Sequence, residues 1–124
     1  MGASGYDPSM KHLVAVAALC ASSAFAQNVV IGAGTQTCGT WTEARAGRHA
    51  SGQSVTIEGL IGSWVQGYLS GGNNDSAMSG KGLNLPEIAT INAYLDKFCR
   101  ENPLYEVWLA SFALTLEIRK QQGK

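Results

Sequence analysis

The sequence predicts a small all-α domain of four helices, held together by one disulfide and preceded by a cleavable signal peptide. Three observations lead to this prediction. Apolar residues recur at spacings of three and four in the longer segments, which is the period of an amphipathic helix. Residues 10–27 contain the three parts of an export signal. Two cysteines follow that signal, and small exported domains often rely on a covalent bond for stability.

The export signal begins at Met10, which we take as the true start because residues 1–9 contain nothing that export needs. A short basic start is followed by an apolar stretch and by Ala24-Phe25-Ala26, a small-x-small sequence after which cleavage is expected. Residues 1–26 are therefore predicted to be leader and signal peptide. Residues 27–124 are predicted to form a single domain that is periplasmic or secreted.

No stable membrane anchor is expected. The apolar stretch of the signal is shorter than the roughly 18 residues that a membrane-spanning helix needs. Lipidation at Cys20 is disfavoured, because Leu19 stands where that processing requires a small residue.

The two later cysteines, Cys38 and Cys99, allow one pairing, and we expect a disulfide. Closing so long a loop contributes roughly 4 kcal/mol in the chain-entropy model. The alternative is a metal site, which would need further ligands, and His49 has no ligand-like spacing to either cysteine. Neither a metal nor another cofactor is expected.

Charge argues against a nucleic-acid partner. Nine basic and nine acidic residues leave the chain without net charge, and no basic run is long enough to follow a phosphate backbone.

The first helix is predicted from Trp41 to about His49, after an extended lead-in over residues 27–37. Thr40 and Glu43 have the spacing of a capping box, in which each side chain accepts from a free backbone N–H at the helix start.

The second helix is predicted to be capped by Ser54. Its apolar face consists of Ile57, Leu60, Ile61, Trp64, Val65 and Tyr68. Gly59, Ser63 and Gly67 form a strip of small residues, which favours the close approach of another helix. The alternative is that they only weaken a short helix, since glycine costs up to about 1 kcal/mol relative to alanine.

Residues 70–82 are rich in glycine, serine and asparagine and are predicted to be a loop. The third helix should begin around Pro86, with an apolar stripe of Ile88, Ile91, Leu95 and Phe98. The fourth should run from Pro103 to about Gln121. Its inner face is predicted to hold Leu104, Val107, Trp108, Ser111, Leu114 and Ile118.

The residues do not predict an enzyme. His49 lies at a predicted helix end without a nucleophile, and the carboxylates fall mostly on outer faces. Residues 75–82 depart from a phosphate-binding loop at both ends, and Asn73-Asn74-Asp75 lacks the spaced acidic pattern of a calcium loop.

Aromatic residues at helical spacing favour a core position for Trp64 and Trp108. Tyr68 is different, because it borders the predicted loop, where its hydroxyl can reach water or a partner. We therefore predict a partner-binding surface formed by Tyr68, Asn73, Asn74 and Asp75.

Three segments together resemble a group of small exported bacterial helical proteins: residues 38–41 (CGTW), 64–71 (WVQGYLSG) and 95–104 (LDKFCRENPL). The group includes immunity proteins of the Tai/Rap type, which neutralise amidase toxins of type VI secretion. It also includes, more distantly, the HdeA-like acid-stress chaperones.

The resemblance implies a non-enzymatic periplasmic protein that acts by binding another protein, in its most concrete form an immunity protein against a secreted toxin. The alternative is an acid-activated chaperone that opens when carboxylates are protonated. The cysteine spacing and the Gly-Tyr-Leu segment depart from the chaperone pattern. The shared motifs describe a scaffold, so they carry the fold better than the function.

Overall fold

The protein is described here by a computed structural model, which covers Gly2 and residues 30–124. The predicted leader and signal peptide, and the predicted mature start at Gln27, lie outside the described residues.

Four α-helices follow a short 3₁₀ helix at Gly32–Thr35. They are α1 (Cys38–Arg45), α2 (Gln53–Met78), α3 (Ile88–Glu101) and α4 (Val107–Gln121). Over residues 30–124 the extended pairing is limited to one isolated bridge between Thr37 and Glu106. The prediction of an all-α, four-helix fold is confirmed.

The helix α1 packs against α2 and α3, while α4 packs against the same two helices and the 3₁₀ helix packs on α2 and α4. The core between them consists of Cys38, Trp41, Ile61, Val65, Leu69, Leu83, Ile91, Leu95, Cys99, Val107, Ala110, Leu114 and Ile118. The predicted disulfide is present. It joins Cys38, the first residue of α1, to Cys99 near the end of α3, and both cysteines are fully buried.

The predicted start of α1 is wrong by three residues. Its N-cap is Thr37, whose hydroxyl accepts from the backbone N–H of Thr40. The N–H groups of Cys38 and Gly39 donate to backbone carbonyls in the turn between α3 and α4, at 2.7 and 2.8 Å. Because that turn satisfies the free donors, the helix can begin before the expected capping box. It also ends earlier than predicted, at Arg45.

The loop predicted over residues 70–82 is the largest error, since α2 continues to Met78 and only residues 79–87 connect it to α3. Asn73 explains the difference. Its side chain accepts from the N–H of Leu83 at 2.6 Å and donates to the carbonyl of Leu83 at 3.0 Å. Leu83 is thereby held in the core. Tertiary contacts of this kind override the weak helix propensity of glycine and asparagine.

The close-packing interpretation of Gly59, Ser63 and Gly67 is also wrong. All three are exposed, and among the described residues nothing lies within 4 Å of a Cβ built on either glycine. Leu60, predicted on the apolar face, is 61% exposed.

Both later helices begin after the prolines that were expected to start them. Helix α3 begins at Ile88, and Ile88 is exposed. Helix α4 begins at Val107, because residues 103–106 form the turn whose carbonyls bind the start of α1. Leu104 consequently lies outside the core and is 88% exposed.

Trp64 and Trp108 are half-buried rather than central. Trp41 is the fully buried tryptophan. Trp64 covers the 3₁₀ helix and donates its indole N–H to the carbonyl of Ile31 at 2.9 Å. A Cβ on Gly34 would lie 2.2 Å from the Trp64 ring, so only glycine permits this contact.

Candidate binding groove

A groove of 330 Å³ lies between α2 and α4 and is closed at one side by the segment that follows α2. It is lined by Tyr68, Leu69, Gly72, Asn73, Ser76, Leu83, Leu85, Phe112, Thr115, Leu116, Ile118 and Arg119. We call it the α2–α4 groove. Two of its walls are regular helices and Leu83 of the third is held in the core, so its shape exists before any ligand arrives.

Exposed apolar side chains form part of the lining. Phe112 is 46% exposed and Leu116 is 50% exposed, one helical turn apart on α4. Neither belongs to the core cluster. Aromatic and aliphatic side chains held open beside a concave surface are typical of sites that anchor a partner.

Tyr68 lies in this lining from the α2 side. Its ring stacks on Trp64, with 5.4 Å between the ring centroids and 23° between the planes. The indole of Trp64 is itself fixed by the bond to Ile31. Tyr68 is therefore a positioned, half-buried aromatic, as a rigid anchor requires.

The other predicted binding residues are on α2 and not at a loop tip. Asn73 lines the groove, but both ends of its amide bind the backbone of Leu83. Asn74 is exposed and does not line the groove. Asp75 is exposed and lines a neighbouring polar basin. The structure thus brings Tyr68 and Asn73 together and leaves Asn74 and Asp75 on adjoining surface.

Phe112 and Leu116 are not among the binding residues predicted from the sequence. A usable pattern was present, because the two residues are four positions apart and form a second apolar stripe beside the inner face of α4.

The polar basin adjoins the groove and has a volume of 530 Å³. It is lined by Asp75, Ser76, Ser79, Gly80, Lys81, Leu83, Arg119 and Lys124. Ser76, Leu83 and Arg119 line both sites, so the groove and the basin are continuous.

A second polar cluster joins α1, α2 and α3. Arg45 donates to both carboxylate oxygens of Asp96, at 3.0 and 2.9 Å, and to Glu58 at 2.9 Å. The hydrogen bond to Asp96 is the main reason that the pKa of Arg45 is raised. Trp41, fully buried, donates its indole N–H to Asp96 at 2.9 Å. This cluster lies outside the α2–α4 groove and stabilises the helices.

Over residues 30–124 no group of three or more histidine, cysteine or acidic side chains is arranged to hold a metal. The buried Nε2 of His49 has no hydrogen-bond partner there, and His49 does not line the groove. The groove can bind apolar side chains and hydrogen-bond to a backbone.

Comparison with protein-family models, curated proteins and solved structures finds no match. Within the described part of the chain, none of the helices combines the length and apolar character that crossing a bilayer requires. The disulfide is consistent with an oxidising, exported compartment.

Proposed function

We propose that this is a non-enzymatic, exported protein that binds another protein through the α2–α4 groove. The observation that carries the proposal is the trio Tyr68, Phe112 and Leu116, which holds apolar surface open to solvent around a preformed 330 Å³ groove.

The free energy gained by burying the exposed side chains of this groove would contribute substantially to the binding of a protein. Full burial of a Phe or Leu side chain is worth about 1.5–3 kcal/mol, and Phe112 and Leu116 are each about half exposed. Covering both would contribute about 2 kcal/mol, which corresponds to roughly thirtyfold in Kd.

The most concrete form of the proposal is an immunity protein that neutralises a secreted toxin, as the resemblance over about residues 38–118 implies. A disulfide-bonded helical scaffold in an exported compartment supports that role, because the toxin would be met outside the cytoplasm.

The test is affinity capture from periplasmic extract at neutral pH, with the oxidised protein as bait. Phe112→Ala in the groove is compared with Leu104→Ala, whose side chain is more exposed but lies at the α3–α4 turn. We expect the first change to weaken capture of a specific protein about fivefold or more and the second to leave it unchanged. Equal capture by both baits would contradict the proposed groove.

Tyr68→Ala, Asn74→Ala and Asp75→Asn test the surface predicted from sequence. Loss of capture with Tyr68→Ala is expected from its place in the groove. The Asn74→Ala and Asp75→Asn variants test whether the contact with the partner extends along α2, because they weaken capture only in that case.

The alternative function is an acid-activated chaperone. The ion pairs of Arg45 with Asp96 and Glu58 favour it, because they join three helices and would be weakened when carboxylates are protonated. In that case no partner should be captured at neutral pH, and suppression of client aggregation should appear only below about pH 4.

A further inference from the structure

The charges beside the groove indicate which charge the partner should carry. Lys81, Arg119 and Lys124 line the polar basin, and Asp75 is the carboxylate that lines it with them. Among the described residues the ion pairs are those of Arg45, so none of these three cations is in an ion pair, and they outnumber the carboxylate of Asp75. In a chain with no net charge, this is a local excess of positive charge.

The cations are held beside the groove by the fold. Arg119 is on α4, one turn after Leu116 and Thr115, and one of its Nη atoms lies 3.3 Å from the hydroxyl of Ser76. Lys124 donates an ammonium N–H to the carbonyl of Gly82, in the segment that follows α2. A ligand that occupies the groove therefore meets positive charge at one end.

We propose that the α2–α4 groove takes an acidic peptide segment of the partner protein, with an apolar side chain in the groove and one or more neighbouring carboxylates in the basin. This inference rests on the proposed function and adds the partner's chemistry to it.

Charge complementarity favours this occupant over other anions. A nucleic-acid backbone has no apolar side chain to place beside Phe112 and Leu116. The hydroxyls of Ser76 and Thr115 line the groove and donate their hydrogens to the carbonyls of Gly72 and Ser111, so their oxygens can only accept from a ligand. An anionic lipid has an apolar chain, but its phosphate and ester oxygens have no hydrogen to donate. A peptide backbone N–H can donate to either hydroxyl oxygen.

The test is selection of a displayed library of random peptides on the immobilised, oxidised protein at neutral pH and low salt. We expect enriched peptides to combine an apolar residue with nearby Asp or Glu, and to lose binding to Phe112→Ala. With the double variant Lys81→Gln and Arg119→Gln, the acidic preference should disappear and the selected acidic peptides should bind roughly three- to tenfold more weakly. The control double variant Lys97→Gln and Lys120→Gln removes exposed cations outside the basin and should change neither result.

The outcomes separate the two proposals. Peptides that depend on Phe112 but show no acidic preference, or keep it in the Lys81 and Arg119 variant, would overturn this inference and leave the groove standing. Failure to enrich any peptide that depends on Phe112 would defeat the groove itself. Vesicles of anionic phospholipid are the second probe, and binding to them in place of peptides, lost in the same double variant, would assign the basin to lipid and overturn the inference.

Discussion

Two substitutions of Asp96 should measure separately how much its ion pair with Arg45 and its hydrogen bond from the Trp41 indole contribute to stability. Asp96 accepts two bonds from Arg45 and one from the indole N–H of Trp41. In Asp96→Asn the charge is removed, but the amide oxygen can still accept from Trp41. In Asp96→Ala both interactions are lost.

The two costs differ because the two donors differ in burial. The side chains of Arg45 and Asp96 are 36% and 31% exposed, so water screens their attraction and the pair is worth about 0.5–1 kcal/mol. Trp41 is fully buried, and leaving its N–H without an acceptor costs a further 1–3 kcal/mol or so, about the full desolvation of that group.

Thermal unfolding followed by far-UV circular dichroism measures both variants. At roughly 4–8 °C per kcal/mol for a domain of this size, we expect Asp96→Asn to lower the Tm by about 4 °C and Asp96→Ala by about 10 °C or more. High salt should reduce the effect of Asp96→Asn, because it screens exposed charges. Equal Tm losses for the two variants would show that the indole bond contributes nothing, and would refute the reasoning.

Three further predictions follow from the fold. Replacing Cys38 by Ser should lower the free energy of unfolding by roughly 4 kcal/mol, measured by urea titration, since the bond closes a loop of 61 positions; an unchanged titration would contradict this. Gly34→Ala should cost about 1–3 kcal/mol and move the fluorescence of Trp64 to longer wavelength, because the new Cβ would meet the ring, whereas Gly62→Ala, with open space around it, should not destabilise. The pKa of Tyr94 is raised from 10.0, first by burial and then by nearby Glu carboxylates, so the stability linked to its neutral phenol is present below about pH 10 and lost above it. The stability of the native protein relative to Tyr94→Phe should therefore fall as the pH rises past 10, and a difference that does not change with pH would argue against the assignment.

The fold class and the disulfide could be predicted because they depend on patterns that the chain carries locally. Ile61, Val65, Ile91, Leu95, Leu114 and Ile118 recur at helical spacing, and all six are buried. The disulfide could be predicted because Cys38 and Cys99 are the two cysteines that follow the predicted signal, so only one pairing is possible. The first residue of α1 could not be predicted from local sequence. Its first backbone N–H groups donate to carbonyls of the α3–α4 turn, which is distant in sequence.

The binding surface was predicted only in part. The position of Tyr68 beside a polar segment predicts a surface contact, and Tyr68 does line the groove. The segment itself is helical, since Asn73 is bound to the backbone of Leu83, a contact that no local pattern indicates. The role of Phe112 could not be predicted, because the sequence does not show that α2 leaves the second apolar stripe of α4 exposed.

The most direct test of the central claim, that the α2–α4 groove binds a protein, is hydroxyl-radical footprinting of the protein with and without its captured partner. Aromatic and aliphatic side chains react according to their exposure. We expect the bound partner to lower oxidation of Tyr68, Phe112 and Leu116, while Leu104 and Tyr105 at the α3–α4 turn stay as reactive as before. Protection of Leu104 and Tyr105 with unchanged oxidation of the groove residues would contradict the claim.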